Sequence, residues 1–134
     1  MDLTLEAYHR EVQKQLITET ADGWTAVWEM ESVLIPEHII DLRLEKWGKT
    51  VHLRGAVTNS TTWQTHDNII TIPAGFRPSV TEAFLMQGSG SNRYLLMIQS
   101  GGNCNAQRYT NNTTMSNTVP TGSWLCMYAT WMVE

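Results

Sequence analysis

Apolar residues recur along this chain with two different periods. Over residues 3 to about 19, Leu5, Tyr8, Val12 and Leu16 fall at steps of three and four, which puts them on one helical face. Glu6 and Arg10 form a favourable i,i+4 pair, Asp2 caps the start and Asp22-Gly23 ends the segment. The pattern predicts one N-terminal α-helix. A helix of this length is marginal in water, so it needs a partner: the rest of its own chain, or copies of itself. A strict heptad is not sustained, because Gln15 falls where Tyr8 would repeat.

Beyond Gly23 the period becomes two. Trp24, Ala26, Trp28 and Met30 share one strand face. Ile40, Leu42 and Leu44 share another, opposite Asp41, Arg43 and Glu45. Val51, Leu53 and Val57 point away from His52 and Arg54, and Trp47-Gly48-Lys49 between these last two runs predicts a hairpin. Further strands are predicted near Asn68–Ile72, Thr81–Gln87, Arg93–Gln99, Asn103–Tyr109 and Trp124–Val133, with Gly/Ser/Asn turns between several of them. Short strands with regular turns and no crossover helices predict a mainly β chain: an antiparallel β-sandwich or barrel preceded by the helix. The expected division is residues 1–22 for the helix and 23–134 for the β domain.

Two of these strands are apolar on both faces. Tyr94-Leu95-Leu96-Met97-Ile98 is apolar throughout, and Trp124–Val133 carries large residues on each side. One core hides one face of a sheet, so the second needs the helix or another subunit. A homo-oligomer is expected, with Leu95 and Met97 at its interface.

The chain has 134 residues, enough for one domain with a modest core. Charged residues make up only 16%, and Thr, Asn, Ser and Gln supply much of the polar surface. Such a surface suits hydrogen bonding to neutral ligands such as sugars. Net charge is −4, and no Lys/Arg cluster exists to displace counterions from phosphates, which argues against nucleic acid. No apolar run is long enough to span a bilayer as a helix. The start lacks a basic segment followed by an apolar one, so synthesis in a cytoplasm is expected. Cys104 and Cys126 are not in a Cys-x-x-Cys pair and are expected to be reduced, mostly buried thiols.

Catalytic constellations are weak. No Gly-x-Ser-x-Gly elbow occurs, the four histidines are scattered without metal-ligand spacing, and Asp41 and Glu45 suit a solvated strand face. No cofactor is expected. The polar loop Asn59–Asp67 holds one Trp. Trp63 has two readings: a platform that stacks on a sugar ring, or a lid folded onto the core.

The hairpin Arg43–Val57, followed by Ile70-Thr71-Ile72-Pro73-Ala74-Gly75-Phe76-Arg77-Pro78, resembles C-terminal head domains of receptor-binding proteins. These proteins sit in tails and baseplates of siphophages of Gram-positive bacteria, notably lactococcal and streptococcal phages. Ser100-Gly101-Gly102-Asn103-Cys104 after an apolar strand is similar to them as well. The likeness covers about Trp24 to Val133. It implies a homotrimeric β head on a virion tail tip or baseplate, made in the bacterial host cytoplasm. The implied partners are a host cell-wall polysaccharide or teichoic-acid-type glycan and other tail proteins. Helices in such proteins commonly bundle on the threefold axis, a role open to Leu5, Tyr8, Val12 and Leu16. Members often bind sugar from the strand before the Ser-Gly-Gly turn, but Leu95 and Met97 occupy its second face here. The expected site therefore moves to loops: Trp63 stacks, while His66, Asp67, Arg93 and Tyr109 hydrogen-bond. The alternatives are a structural baseplate subunit and, behind it, a polysaccharide depolymerase.

Overall fold

The computed structural model describes residues 12–17, 20–27, 42–111 and 114–133. Every helix or strand among them is a β-strand, and every strand pairing is antiparallel. In chain order the strands are β1 (Val12–Ile17), β2 (Trp24–Val27), β3 (Leu42–Trp47), β4 (Thr50–Arg54), β5 (Ala56–Asn59), β6 (Trp63–Gln64) and β7 (Ile70–Thr71). They continue as β8 (Glu82–Gln87), β9 (Arg93–Ile98), β10 (Asn103–Asn111), β11 (Thr114–Ser116), β12 (Thr118–Val119), β13 (Trp124–Cys126) and β14 (Ala129–Met132). One sheet runs β1-β3-β4-β14. A second runs β11-β10-β9-β8, with β7 also paired to β10. A third runs β13-β5-β2, and β12 pairs with β6.

The expected helix needs correction where it is described. Val12–Ile17 is a strand laid along β3, from Val12 opposite Trp47 to Ile17 opposite Leu42. The helical spacing of Val12 and Leu16 is overridden by tertiary pairing: a strand here gains a full ladder, whereas a short helix is marginal. Ile17 is buried and Leu16 is exposed, so the stripe does not form one buried face. Leu5 and Tyr8 lie outside the described residues, as do Trp28, Met30, Ile40 and Asp41.

The hairpin at Trp47–Thr50 forms as its sequence predicts, with Gly48 at φ 59° in its turn. The run Val51–Val57 does not form one strand. Gly55 adopts φ 137°, where a side chain is strained, and the chain passes from β4 in one sheet to β5 in another. The C-terminal run divides at the same level, with β13 beside β5 and β14 beside β4. The Met127 amide donates to the Gly55 carbonyl at 2.9 Å across this corner.

Leu42, Leu44, Val51, Leu53, Tyr94, Leu96, Ile98, Leu125 and Met127 meet in one buried cluster. The Pro73–Pro78 turn is locked to it. Trp131 Nε1 donates to the Phe76 carbonyl at 2.7 Å, and Arg77 Nε donates to the Ile72 carbonyl at 2.7 Å. Gly102 packs so closely there that a Cβ would lie 2.5 Å from Arg77 Nε and 2.8 Å from the Ile72 carbonyl oxygen. Gly102 also has φ +99°, whereas a Cβ on Gly101 would meet nothing within 4 Å.

Neither cysteine forms a disulfide. Burial pushes the Cys104 thiol from 9.0 up to about 12. Burial likewise raises the Tyr94 phenol, helped by the charges of Cys104 and Cys126, and its hydroxyl donates to the Cys126 carbonyl.

Two outcomes follow from this packing. Gly102→Ala should cost at least about 2 kcal/mol in urea unfolding, through strain and contact with Arg77, while Gly101→Ala should differ from the parent far less. Because the Cys104 thiol ionises more readily unfolded than folded, stability is fully present below pH 9.0 and falls as pH rises toward about 12. Urea midpoints measured across that range should decline, and less steeply in Cys104→Ala.

Candidate functional site

The loop from Asn59 to Asp67 is pinned at both ends. Asn59 is buried, and its Nδ2 donates to the carbonyls of Thr61 at 2.8 Å and Val119 at 3.2 Å. Thr65 is buried too, with its amide and hydroxyl both donating to the Asn117 carbonyl at 2.8 and 3.1 Å. Between them Trp63 is half-buried and packs edge-on against the buried Trp24, ring centroids 5.7 Å apart at 82°. The structure therefore places Trp63 as a lid on the core. The indole N–H groups of both tryptophans and Asn59 Oδ1 are buried without a hydrogen-bond partner among the described residues.

His66 and Asp67 are exposed at the end of this loop. His66 has φ 81°, its amide donates to the Ala106 carbonyl at 3.2 Å, and its Nδ1 lies 3.2 Å from Thr65 Oγ1. Arg108, two residues along β10 from Ala106, has φ 53°. These are the two non-glycine residues with positive φ among those described, and both stand beside one stretch of β10. Such backbone strain tends to cluster at functional positions. Arg93 is exposed and pairs with Thr110 on the other side of β10. His66 and Arg93 thus flank the same strand on opposite sides, His66 at Ala106 and Arg93 four residues farther along at Thr110.

Tyr109 leaves the expected site. A β-bulge between Gln107 and Thr110 shifts the alternation of β10 and turns this ring inward, where it is 1% exposed. Its hydroxyl accepts a hydrogen bond from Asn92 Nδ2 at 2.7 Å. Of the expected interface residues, Leu95 and Met97 are half-buried on the outer face of β9. Leu95 lies opposite Leu85, which is 72% exposed, and Met97 opposite Ala83. Leu16 is exposed on the outer face of β1, opposite Arg43, and Val12 pairs with Trp47.

A groove of about 520 Å³ begins at Asn68, the residue after Asp67. Gln15, Thr20, Asn68 and Thr71 supply its amides and hydroxyls, and Leu16, Ile69 and Pro73 supply apolar wall. Asn68 is fixed, since its Oδ1 accepts from the Cys104 amide at 2.8 Å and its Nδ2 donates to Thr71 Oγ1 at 3.0 Å. No charged side chain lines the groove among the described residues. Sequence reasoning missed it because one wall is β1, read there as helix. The polar start of the strand at Asn68 was the available signal. Neutral donors and acceptors over an apolar wall can bind a polyhydroxylated ligand.

Among the described residues, no three His, Cys, Asp or Glu side chains gather as a metal site, and no helix is long and apolar enough to cross a membrane. No protein-family model matches the chain, and no curated protein matches it in sequence.

The Trp63 environment predicts a specific contrast. Trp63→Phe keeps an aromatic ring against Trp24 and removes an unpartnered donor, so chemical denaturation should show a change within about 1 kcal/mol. Trp63→Ala should cost about 3 kcal/mol by opening a cavity at the core edge.

Proposed function

We propose that this chain is the β head of a phage tail receptor-binding protein and attaches the virion to a host-surface saccharide without chemistry. The observation that carries this reading is the groove of Gln15, Thr20, Asn68 and Thr71, which offers hydroxyls and amides with no charged side chain among the described residues that line it. The resemblance of Arg43–Pro78 to siphophage heads supports the setting, a tail tip or baseplate. The sheets are read as an antiparallel sandwich or barrel, consistent with β4–β5 and β13–β14 turning a corner together. His66 and Asp67 at the loop end on one side of β10, and Arg93 on its other side, are the polar groups proposed as an alternative contact surface. A homotrimer would multiply weak single-site affinity across many copies.

A second reading is a structural baseplate subunit. The outer face of β8 and β9, with Leu85 exposed beside Leu95 and Met97, favours it.

A fluorescent-protein fusion of the full chain should label host cells or purified cell-wall polysaccharide. Gln15→Trp, which fills the groove from an exposed position, should reduce that labelling at least about tenfold. Labelling that survives Gln15→Trp but falls with His66→Ala and Arg93→Ala would move the site to that alternative surface. Capture of tail proteins with no labelling of any host would favour the structural subunit. A concentration-independent monomer by light scattering would remove the trimer.

A further inference from the structure

A second cleft, of about 410 Å³, lies against the Pro73–Pro78 turn and is lined by Gly75, Arg77, Pro78, Ser79, Ser100 and Val133. Arg77 is half-buried in its wall and cannot swing freely. Its Nε is held by the Ile72 carbonyl at 2.7 Å, and its guanidinium lies against the bare α-carbon of Gly102. The terminal guanidinium nitrogens make no hydrogen bond to any described residue. The ion pair found among the described residues is Lys14–Glu45, so Arg77 has no carboxylate partner there. No acidic side chain lines the cleft among the described residues.

A second cation stands at the same turn. Lys46 Nζ donates to the Gly75 carbonyl at 2.8 Å and lies over the Phe76 ring, 5.4 Å from its centroid. It too has no described carboxylate partner. Approach is open, because a Cβ placed on Gly75 or Gly101 would meet nothing within 4 Å. A half-buried guanidinium fixed through one nitrogen, with its fork unpartnered beside two serines, is arranged for a planar or tetrahedral oxyanion.

We infer that this cleft is an oxyanion site in which the Arg77 fork receives a phosphate or carboxylate group, with Ser79 and Ser100 as neighbouring hydroxyl donors. The assignment goes beyond saccharide binding in the neutral groove and does not depend on it. The Arg77 guanidinium in the cleft wall sets the sign of the ligand, and its anchored Nε sets the direction from which it enters.

The test is side-chain and amide NMR on the full chain, titrated separately with inorganic phosphate and with acetate. Saturable shifts are expected at the Arg77 Nε–H and the Ser100 amide. Ser100→Trp fills the cleft without touching the Arg77–Ile72 bond and should weaken binding at least about tenfold. Arg77→Lys keeps the charge but loses the fork and should weaken it similarly. Saturation by phosphate alone assigns a phosphate-bearing ligand, by acetate alone a carboxylate-bearing one, and by both an oxyanion site that admits either group; each supports the site. No saturable shift with either anion overturns it, as does binding that survives Ser100→Trp unchanged. If Arg77→Lys does not fold, the Ser100→Trp comparison still decides.

Discussion

The corner at Gly55 and Met127 is the constraint on which the rest depends. Two strands that are neighbours on one side of it remain neighbours on the other, so β4–β14 and β5–β13 are one bent ladder shared by two sheets. Gly55 supplies a backbone angle that a side chain would strain, and the Met127 amide closes the bend on its carbonyl. Because both strands turn together, Leu125, Met127, Ala129 and Trp131 all keep their side chains inside. A single cluster can then draw on both sheets, and each fully buried large side chain contributes about 1.5–3 kcal/mol.

From Trp131 the order spreads outward to the surface. Its indole holds the Phe76 carbonyl, Phe76 is buried, and Arg77 is clamped between the Ile72 carbonyl and Gly102. The same turn that completes the core therefore fixes a cation at its rim. The groove at Asn68 is organised in a comparable way, since the Cys104 amide orients the Asn68 side chain that lines it. In both clefts a side chain is held by a part-buried hydrogen bond to the backbone, Arg77 to the Ile72 carbonyl and Asn68 to the Cys104 amide. Preorganisation of that kind lowers the ordering cost of binding a ligand.

The apolar face outside β8 and β9 has a different origin. Tyr94, Leu96 and Ile98 are fully used by the core, so Leu95 and Met97 must point the other way. Leu85 joins them across the ladder and is largely exposed. The surface is thus a by-product of an all-apolar strand in a sheet with one inner face. That physical fact makes assembly an attractive reading for a chain whose remaining polar surface is mostly uncharged.

By itself the sequence determined the β class, the Trp47–Thr50 hairpin and the strands at β8, β9 and β10. In each, period-two alternation or turn glycines act locally and leave little choice. Tertiary structure decided the rest. It took Val12–Ile17 from helical spacing into a strand because β3 offered a ladder. It split Val51–Val57 at Gly55 because the pair with the C-terminal run had to change sheets. It buried Tyr109 through a bulge that no alternation announces, and folded Trp63 onto Trp24 rather than into solvent. The two clefts were not legible for the same reason: Gln15 and Asn68, or Arg77 and Ser100, come together only once distant strands pair, and their chemistry lies in that juxtaposition.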